Sequence, residues 1–190
     1  MRIPYLEITG EINNETVTKF REDYAEIVQW YSKKLKKKKI DYDVPINLFI
    51  NTVGGSVDDA FAIHDIITSG LQHAGCYNLN VKKLNITTVA SGCVWSAGMI
   101  IYLASERRKS YNNSSFMIHD IQLYGMSGDL VSIKQLSEYS QKQKHKMNSL
   151  FVDRANWDEE EFFQLIQKTV EFYFDVEEAK RWQLINEELH

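Results

Sequence analysis

The sequence has few prolines, few cysteines and no long apolar run. Two prolines and two cysteines in 190 residues argue against Pro-rich linkers and against a fold held together by disulfides. Cys76 and Cys93 do not form a C-x-x-C pair, so they indicate no metal or redox motif. No window approaches the roughly 20 apolar residues that span a bilayer, and residues 1–10 lack the apolar core of a secretion signal. We therefore expect a cytoplasmic protein without a membrane partner.

Positive charge is also scarce, apart from one short run. The net charge is −4, which argues against general nucleic-acid binding. Six lysines lie within residues 33–39, and two interpretations stay open: a site for an anionic partner, or a solvated helix end whose cations suit the helix dipole. The apolar share of 44% and the charged share of 25% are ordinary. These values predict one globular domain over residues 1–190.

Apolar periodicity and turn residues predict alternating strands and helices. The predicted strands are Ile3–Ile8, Ile46–Asn51, Asn85–Val89 and Ser115–Ile118. The predicted helices are Thr16–Lys36, Ser56–Ser69, Trp95–Ser105 and Leu130–Ala155, followed by one capped by Asn156 and one capped by Asp175. This order predicts an α/β core of crossover units, followed by a mostly helical part.

The first candidate for chemistry is the turn Gly54-Gly55, between a predicted strand and a predicted helix. Backbone N–H groups in such a turn suit a phosphate, a carboxylate or the oxyanion of acyl transfer. The turn lacks the G-K-[ST] ending of a P-loop and the glycine spacing of a dinucleotide site. On its own it is a weak signal, since a Gly-Gly pair often marks only a turn.

The second and third candidates are a serine and a histidine. Ser96 lies where a strand gives way to a helix, and its hydroxyl is either a nucleophile or a helix-capping group. Ser91 is a rival, but it lies before the turn. His119 directly follows a predicted strand, and no other histidine holds such a position beside a helix-opening serine. His119 is therefore the best candidate for a general base.

Taken together and in this order, the three segments resemble the ClpP family, the proteolytic subunit of the Clp protease. That family has the motifs I-N-S-P-G-G, G-x-x-x-S-M-G and M-I-H. The corresponding segments here are Ile50–Gly55, Gly92–Gly98 and Met117–His119. Residues 177–186 are similar to the family's E-E-A-x-x-x-G-L-I-D. The resemblance, over about residues 3–188, implies an α/β, ClpP/crotonase-like fold of repeated β-β-α units, with a protruding handle helix within about residues 120–155.

The resemblance implies a serine-type endopeptidase that needs no metal or organic cofactor. Ser96 would attack the scissile carbonyl, while His119 would take its proton and later protonate the leaving amine. The backbone N–H groups of Gly55 and Ala97 would form the oxyanion hole.

Two residues compete for the acid of the triad. Glu171 aligns with the family's aspartate, and other serine hydrolases use glutamate in this role. Asp175 is the alternative, although its D-x-x-E spacing also predicts a helix cap. Asp120, next to the base, ranks lower because it would point to the opposite face of the strand.

The resemblance also implies partners and an assembly. Two stacked heptameric rings, a tetradecamer, would enclose polypeptide substrates, and a Clp-type AAA+ ATPase would deliver them for protein quality control. The sequence begins close to its first predicted strand, where the family has axial-loop residues, so we expect weaker coupling to that ATPase. Val53 and Ala97 replace the motif proline and methionine, and the Gly-rich segment after the base is reduced to Gly125 and Gly128. Such divergence suits a specialised relative, for example a phage-encoded one.

Three other functions are compatible with parts of the pattern. The glutamate at position 171 suggests a catalytically silent ring subunit. A viral capsid-maturation protease of the same fold would cleave one structural partner without an ATPase. A crotonase-type acyl-CoA enzyme shares the fold, but its chemistry generally relies on carboxylates, whereas this sequence pairs a serine with a histidine.

Overall fold

The chain folds as an α/β structure around a single sheet. A computed structural model describes residues 3–36, 45–71, 83–122, 128–168 and 170–189. Within these ranges the strands are β1 Leu6–Ile12, β2 Ile46–Gly55, β3 Ile86–Trp95, β4 Arg107–Ser110, β5 Ser115–Ile118 and β6 Phe172–Phe174. The helices are α1 Asn14–Lys36, α2 Val57–Ser69, α3 Ala97–Tyr102, α4 Leu130–Arg154, α5 Glu159–Lys168 and α6 Val176–Arg181. The predicted α/β fold class is confirmed.

The sheet brings three carboxyl-terminal strand ends to one edge. The strand order is β1-β2-β3-β5-β6, and β4 pairs with the first part of β3 while β5 pairs with its last part. The pairs among β1 to β5 are parallel, and β6 runs antiparallel to β5. Parallel strands present their carboxyl ends at the same edge, where ligand sites of open α/β sheets commonly lie.

The core fixes the elements that lead into this edge. The inward-facing residues of β2, namely Ile46, Leu48 and Ile50, are fully buried. All residues of the short helix α3 are buried as well. Each buried aliphatic side chain contributes about 1.5–3 kcal/mol relative to an exposed one. The segment that follows Ser96 is therefore held inside the protein.

The first strand and the first helix differ from the prediction at their starts. Ile3 and Tyr5 are about half exposed and lie outside β1. The strand instead continues to Ile12, across a bulge at Gly10, because this segment pairs with the end of β2. Helix α1 begins two residues before the predicted Thr16, since the side chain of Asn13 accepts the Thr16 N–H at 3.1 Å and caps it.

The predicted cap of α5 is wrong. The carboxylate of Asp158, and not Asn156, accepts the N–H groups of Glu160 and Glu161 at 3.0 and 3.1 Å. The N–H of Asn156 instead donates to the carbonyl of Trp182 at 2.8 Å. The predicted cap of α6 by Asp175 is confirmed as a full capping box.

Several predicted features lie at the margins of the described ranges. Lys34 lies over the Trp30 ring at 5.6 Å, but residues 37–44, with half of the lysine run, lie outside the described residues. Cys76 and Gly125 lie outside them too. Helix α4 corresponds to the predicted long helix. Across the described ranges, no helix is long and apolar enough to cross a membrane.

Candidate active site

The ends of β2, β3 and β5 carry the three predicted segments to one place. Gly54 and Gly55 end β2, Ser96 follows β3, and His119 follows β5. The N–H of Ser96 donates to the carbonyl of Met117 at 2.8 Å, which ties the turn after β3 to the end of β5. The sheet thereby fixes the serine and the histidine relative to each other.

Ser96 has an unusual backbone conformation, and its side chain does not cap the helix that follows. Its φ is 53° and its ψ is −123°, and a positive φ is unfavourable for a residue with a side chain. The residue precedes α3, yet its side chain makes no capping hydrogen bond. Its Oγ lies 2.7 Å from Nε2 of His119 instead. This is the geometry of an activated nucleophile and its base. The rival Ser91 donates to the carbonyl of Ile50 within the sheet.

The second ring nitrogen of His119 has no hydrogen-bond partner among the residues that the structure describes. This nitrogen, Nδ1, is buried. In a serine–histidine–carboxylate triad this nitrogen donates to the acid, which fixes the tautomer of the ring. The structure therefore brings together two members of the predicted triad and leaves the third contact open.

The strand register places Glu171 next to His119. In the antiparallel pair of β5 and β6, Ile118 lies opposite Phe172, so the next residues outward are His119 and Glu171. Residues directly opposite in such a pair have Cβ atoms about 4.5–5.5 Å apart. Both side chains line the same cleft. Glu171 is thus within reach of the base, although it does not contact Nδ1.

The Glu171 carboxylate is held by another partner. Its Oε2 accepts the hydroxyl of Tyr173 at 2.7 Å. This hydrogen bond, together with the negative charge of Glu171, raises the pKa of Tyr173. Tyr173 is two residues further along β6, so both side chains lie on the same side of the strand. Glu171, the predicted acid, is accordingly held by a residue outside the predicted triad.

The two alternative acids have other roles. Asp175 caps α6 through its side chain, and the register places it about four residues, or roughly 13 Å, along the sheet from His119. Asp120 accepts the N–H of Ile121 at 2.7 Å and forms an ion pair with Lys144 at 2.5 Å. Neither carboxylate forms a hydrogen bond with the imidazole among the described contacts.

Gly54 and Gly55, predicted as a turn, are instead the last two residues of β2, and Gly54 packs directly against the segment that carries Ser96. Gly54 has φ +101°, and a Cβ there would lie 2.7 Å from Cβ of Ser96 and 3.2 Å from N of Ala97. Gly55 has φ +143°, and its Cβ would meet the carbonyl oxygen of Ile12 at 2.3 Å. Glycine at position 54 therefore lets the end of β2 approach the Ser96 segment, and glycine at position 55 lets it approach β1. The N–H groups of the predicted oxyanion hole, on Gly55 and Ala97, belong to two chain segments that are in contact through Gly54.

Two polar side chains on β2 hold these turns in place. Oδ1 of Asn51 accepts the N–H of Cys93 at 3.0 Å. Oγ1 of Thr52 accepts the N–H of Gly54 at 3.1 Å and donates to the carbonyl of Gly10. The bonds to Cys93 and Gly10 join β2 to its two neighbouring strands where the regular ladder is interrupted, and the bond to Gly54 lies within β2. Together they supply hydrogen bonds where the ladder does not.

The dyad opens into a cleft of about 360 Å³. Its walls combine apolar side chains with carboxylates. The apolar residues are Val53, Val57, Met117, Ile121 and Met147, and the carboxylates are Glu11, Asp120 and Glu171. Concave sites that combine apolar side chains with convergent polar groups commonly bind ligands. Within the described ranges, no three or more histidine, cysteine, aspartate or glutamate residues are placed to hold a metal ion.

Comparison with known proteins identifies the family. The family model described as Clp protease matches residues 23–189. The chain belongs to the Clp protease family. It is similar to the ATP-dependent Clp protease proteolytic subunit 2 of Treponema denticola, with 30% identity over 154 residues; the match covers 80% of this chain and 66% of that relative, slightly less than two thirds.

A solved structure of a family member supports the fold. It is a ClpP1 mutant from Listeria monocytogenes, with a TM-score of 0.71 and 26% identity. The match covers 98% of this chain and 91% of that one. The predicted membership of the ClpP family and the predicted ClpP fold are confirmed.

Two aromatic residues beside the predicted nucleophile and acid were not identified from the sequence. Tyr173 holds Glu171, and Trp95, directly before Ser96, contacts the Tyr173 ring with centroids 5.4 Å apart. The missed signal was the three-residue strand β6, because recognising it would have placed Tyr173 and Glu171 on one side of a strand.

Proposed function

We propose that this protein is a serine endopeptidase that hydrolyses peptide bonds through an acyl-enzyme on Ser96. The observation that carries the proposal is the 2.7 Å hydrogen bond between Oγ of Ser96 and Nε2 of His119. Oγ attacks the scissile carbonyl while its proton moves to Nε2. The C–N bond then breaks, and the same proton passes to the leaving amine. A water molecule, deprotonated by His119, releases the acyl group.

The oxyanion of the tetrahedral intermediate is the second requirement of this reaction. The N–H groups of Gly55 and Ala97 would donate to it. Gly55 lines the cleft beside Ser96, and Ala97 is the first residue of α3, where a backbone N–H has no acceptor within its own helix. Each such donor contributes about 2.7–4 kcal/mol to lowering the barrier in other serine hydrolases.

The family suggests how the activity is used. We propose that the chain, as one peptidase domain over residues 1–190, is the proteolytic subunit of a cytoplasmic Clp-like barrel of two heptameric rings that degrades polypeptides delivered by a Clp-type ATPase. Helix α4 would be the handle between the rings. Its first turn exposes 86% of Leu130 and 66% of Val131, and exposed apolar residues of this size favour a contact with another copy.

Labelling with a fluorophosphonate probe tests the nucleophile. We expect the purified protein to gain one covalent adduct on Ser96, because the probe reacts with a serine activated by a neighbouring base. Intact mass and peptide mapping measure the adduct. Ser96→Ala should abolish labelling, whereas Ser91→Ala should keep it, since Ser91 bonds to a backbone carbonyl in the sheet. An unlabelled wild-type protein that also turns over no fluorogenic peptide contradicts the proposal.

A catalytically silent ring subunit is the second candidate. One observation favours it: the Glu171 carboxylate bonds to Tyr173, and Nδ1 of His119 has no partner among the described residues. This candidate predicts a ring in light scattering, no labelling of Ser96 and no turnover of peptides. The labelling experiment therefore separates the two candidates.

The Gly54-Gly55 turn gives a further prediction. Gly54→Ala should lower kcat for a fluorogenic peptide by about 10²- to 10³-fold, the effect of losing one oxyanion donor, because its Cβ would press on Ser96 and Ala97. Steady-state kinetics measure this, with the melting temperature as a check on folding. Gly10→Ala is the matched control, since Gly10 also has a positive φ but has open space around its Cβ position. Equal activity losses in both variants would contradict the role of the turn.

A further inference from the structure

Three residues form a row across the sheet beside the dyad. Trp95 pairs with Met117 in β3 and β5, and Met117 pairs with Tyr173 in β5 and β6. The Trp95 and Tyr173 rings meet edge to face, with centroids 5.4 Å apart and an interplanar angle of 85°. Such a pair prefers this relative orientation. The row therefore connects the residue before the nucleophile with the strand that carries Glu171.

The ring of Tyr173 is fixed on this row even though half of the residue is exposed. Trp95 is itself held, because its Nε1 donates to Oγ of Ser115 at 3.1 Å. The Tyr173 hydroxyl can consequently reach the Glu171 carboxylate without losing much side-chain freedom. The result is the 2.7 Å hydrogen bond that occupies Oε2 of Glu171.

Two donors lie beside one carboxylate, and only one of them is bonded to it. In this conformation the Tyr173 hydroxyl donates to the Glu171 carboxylate. His119 is the neighbour of Glu171 in the strand register, and its Nδ1 is buried without a partner among the described residues. Hydrogen bonds to a charged group gain strength when the donor is charged as well. The imidazole becomes such a donor only when it has accepted the serine proton.

We propose that Tyr173 is a positioning residue. Its hydroxyl keeps the Glu171 carboxylate beside His119 but bonded to the phenol, and so delays the hydrogen bond to Nδ1 that would complete the triad. This inference rests on the proposed peptidase function. In the resting enzyme the phenol keeps the carboxylate. As the proton moves from Ser96 to His119, the carboxylate leaves the phenol and accepts Nδ1–H. No bond other than these hydrogen bonds changes in this step.

The test is the substitution Tyr173→Phe, which keeps the ring on Trp95 and removes the hydroxyl. We expect the rate constant for fluorophosphonate labelling, and kcat/KM for a peptide, to rise about tenfold. The reason is that the variant no longer has to break the hydrogen bond between the phenol and the charged carboxylate. In the Glu171→Gln background the same substitution should change neither rate. A crystal structure of the Tyr173→Phe variant should show a Glu171 oxygen within hydrogen-bond distance of Nδ1 of His119.

Tyr173→Leu distinguishes positioning from packing, because it removes the ring contact with Trp95 as well. If Tyr173 acts only by packing on Trp95, Tyr173→Phe leaves both rates unchanged. Tyr173→Leu then lowers them, whether or not Glu171 is present. That result overturns the inference. So does a Tyr173→Phe structure in which Nδ1 of His119 still lacks the carboxylate. This structural result does not depend on turnover, so failure of the peptidase proposal and failure of the positioning role are separately visible.

Discussion

Replacing His119 with alanine should reduce kcat for a fluorogenic peptide by about 10⁴- to 10⁶-fold, the range found when the base of a serine protease is removed. The imidazole is the group bonded to Oγ of Ser96, so without it the serine hydroxyl has no acceptor for its proton. KM should change little, because His119 contributes one part of the wall of a cleft that keeps its apolar residues. Initial-rate kinetics over a range of peptide concentrations measure both parameters.

His64 provides the control for this experiment. It is also a half-buried histidine beside a carboxylate, with Nδ1 3.2 Å from Asp65, but it lies on α2 and does not line the cleft. His64→Gln should keep kcat within a few-fold of the wild-type value. A His119→Ala variant that retains a tenth or more of the activity, with correct folding shown by circular dichroism, contradicts the role of the base.

Replacing Arg108 with methionine should lower the free energy of unfolding by about 3–5 kcal/mol, because several buried acceptors would lose their donor at about 1–3 kcal/mol each. Arg108 is only 4% exposed, and burial lowers the pKa of its guanidinium. It donates to the carbonyls of Leu184 at 2.7 Å, Ser105 at 2.9 Å, Gln183 at 3.0 Å and Arg154 at 3.3 Å.

These contacts make Arg108 the point at which β4 meets the ends of three helices. The acceptors follow α3, end α4 and follow α6. Methionine fills a similar volume but offers no donor, so the loss comes from the unpaired carbonyls. Urea denaturation measures the change, with the protein concentration held equal for all variants because self-association would shift the apparent stability.

Arg107 is the matched control, one residue earlier on the same strand. Its side chain is about one-third exposed, bonds to Asn85 and lies 3.9 Å from Glu187. Partly exposed ion pairs contribute about 0–1 kcal/mol, so Arg107→Met should change the free energy of unfolding by no more than about that amount. Equal losses for both arginines would mean that charge on β4, and not the carbonyl contacts of Arg108, stabilises the fold.

The larger elements could be predicted from the sequence because their signals are long. Helix α4 was predicted within a residue of its bounds, since its amphipathic periodicity extends over 25 residues. Strand β5 has only four residues, and it was predicted from the apolar run Phe116–Ile118. The capping residue Asp175 was predicted for the same reason, from a spacing of local groups. Strands β4 and β6 were not predicted, because β4 consists of the polar residues Arg107–Ser110 and β6 has only three residues.

In the candidate site, too, the residues with a local sequence signal could be predicted, and the contacts between distant segments could not. Ser96 and His119 could be chosen from their places at strand ends, and the resemblance to a family added weight to both. Tyr173 could not be predicted as the partner of Glu171, the predicted acid, because their hydrogen bond depends on the pairing of β6 with β5. The hydrogen bonds of the buried Arg108 side chain could not be predicted either, since its acceptors are backbone carbonyls from 3 to 76 residues away in sequence.

The positive φ of Ser96 has a consequence for how this chain can change over time. A serine at φ 53° and ψ −123° keeps the hydroxyl in front of the imidazole at a cost to folding of roughly 1–3 kcal/mol. Glycine would adopt the same backbone shape without that cost. A lineage that no longer needs the hydroxyl would therefore gain stability from glycine at this position.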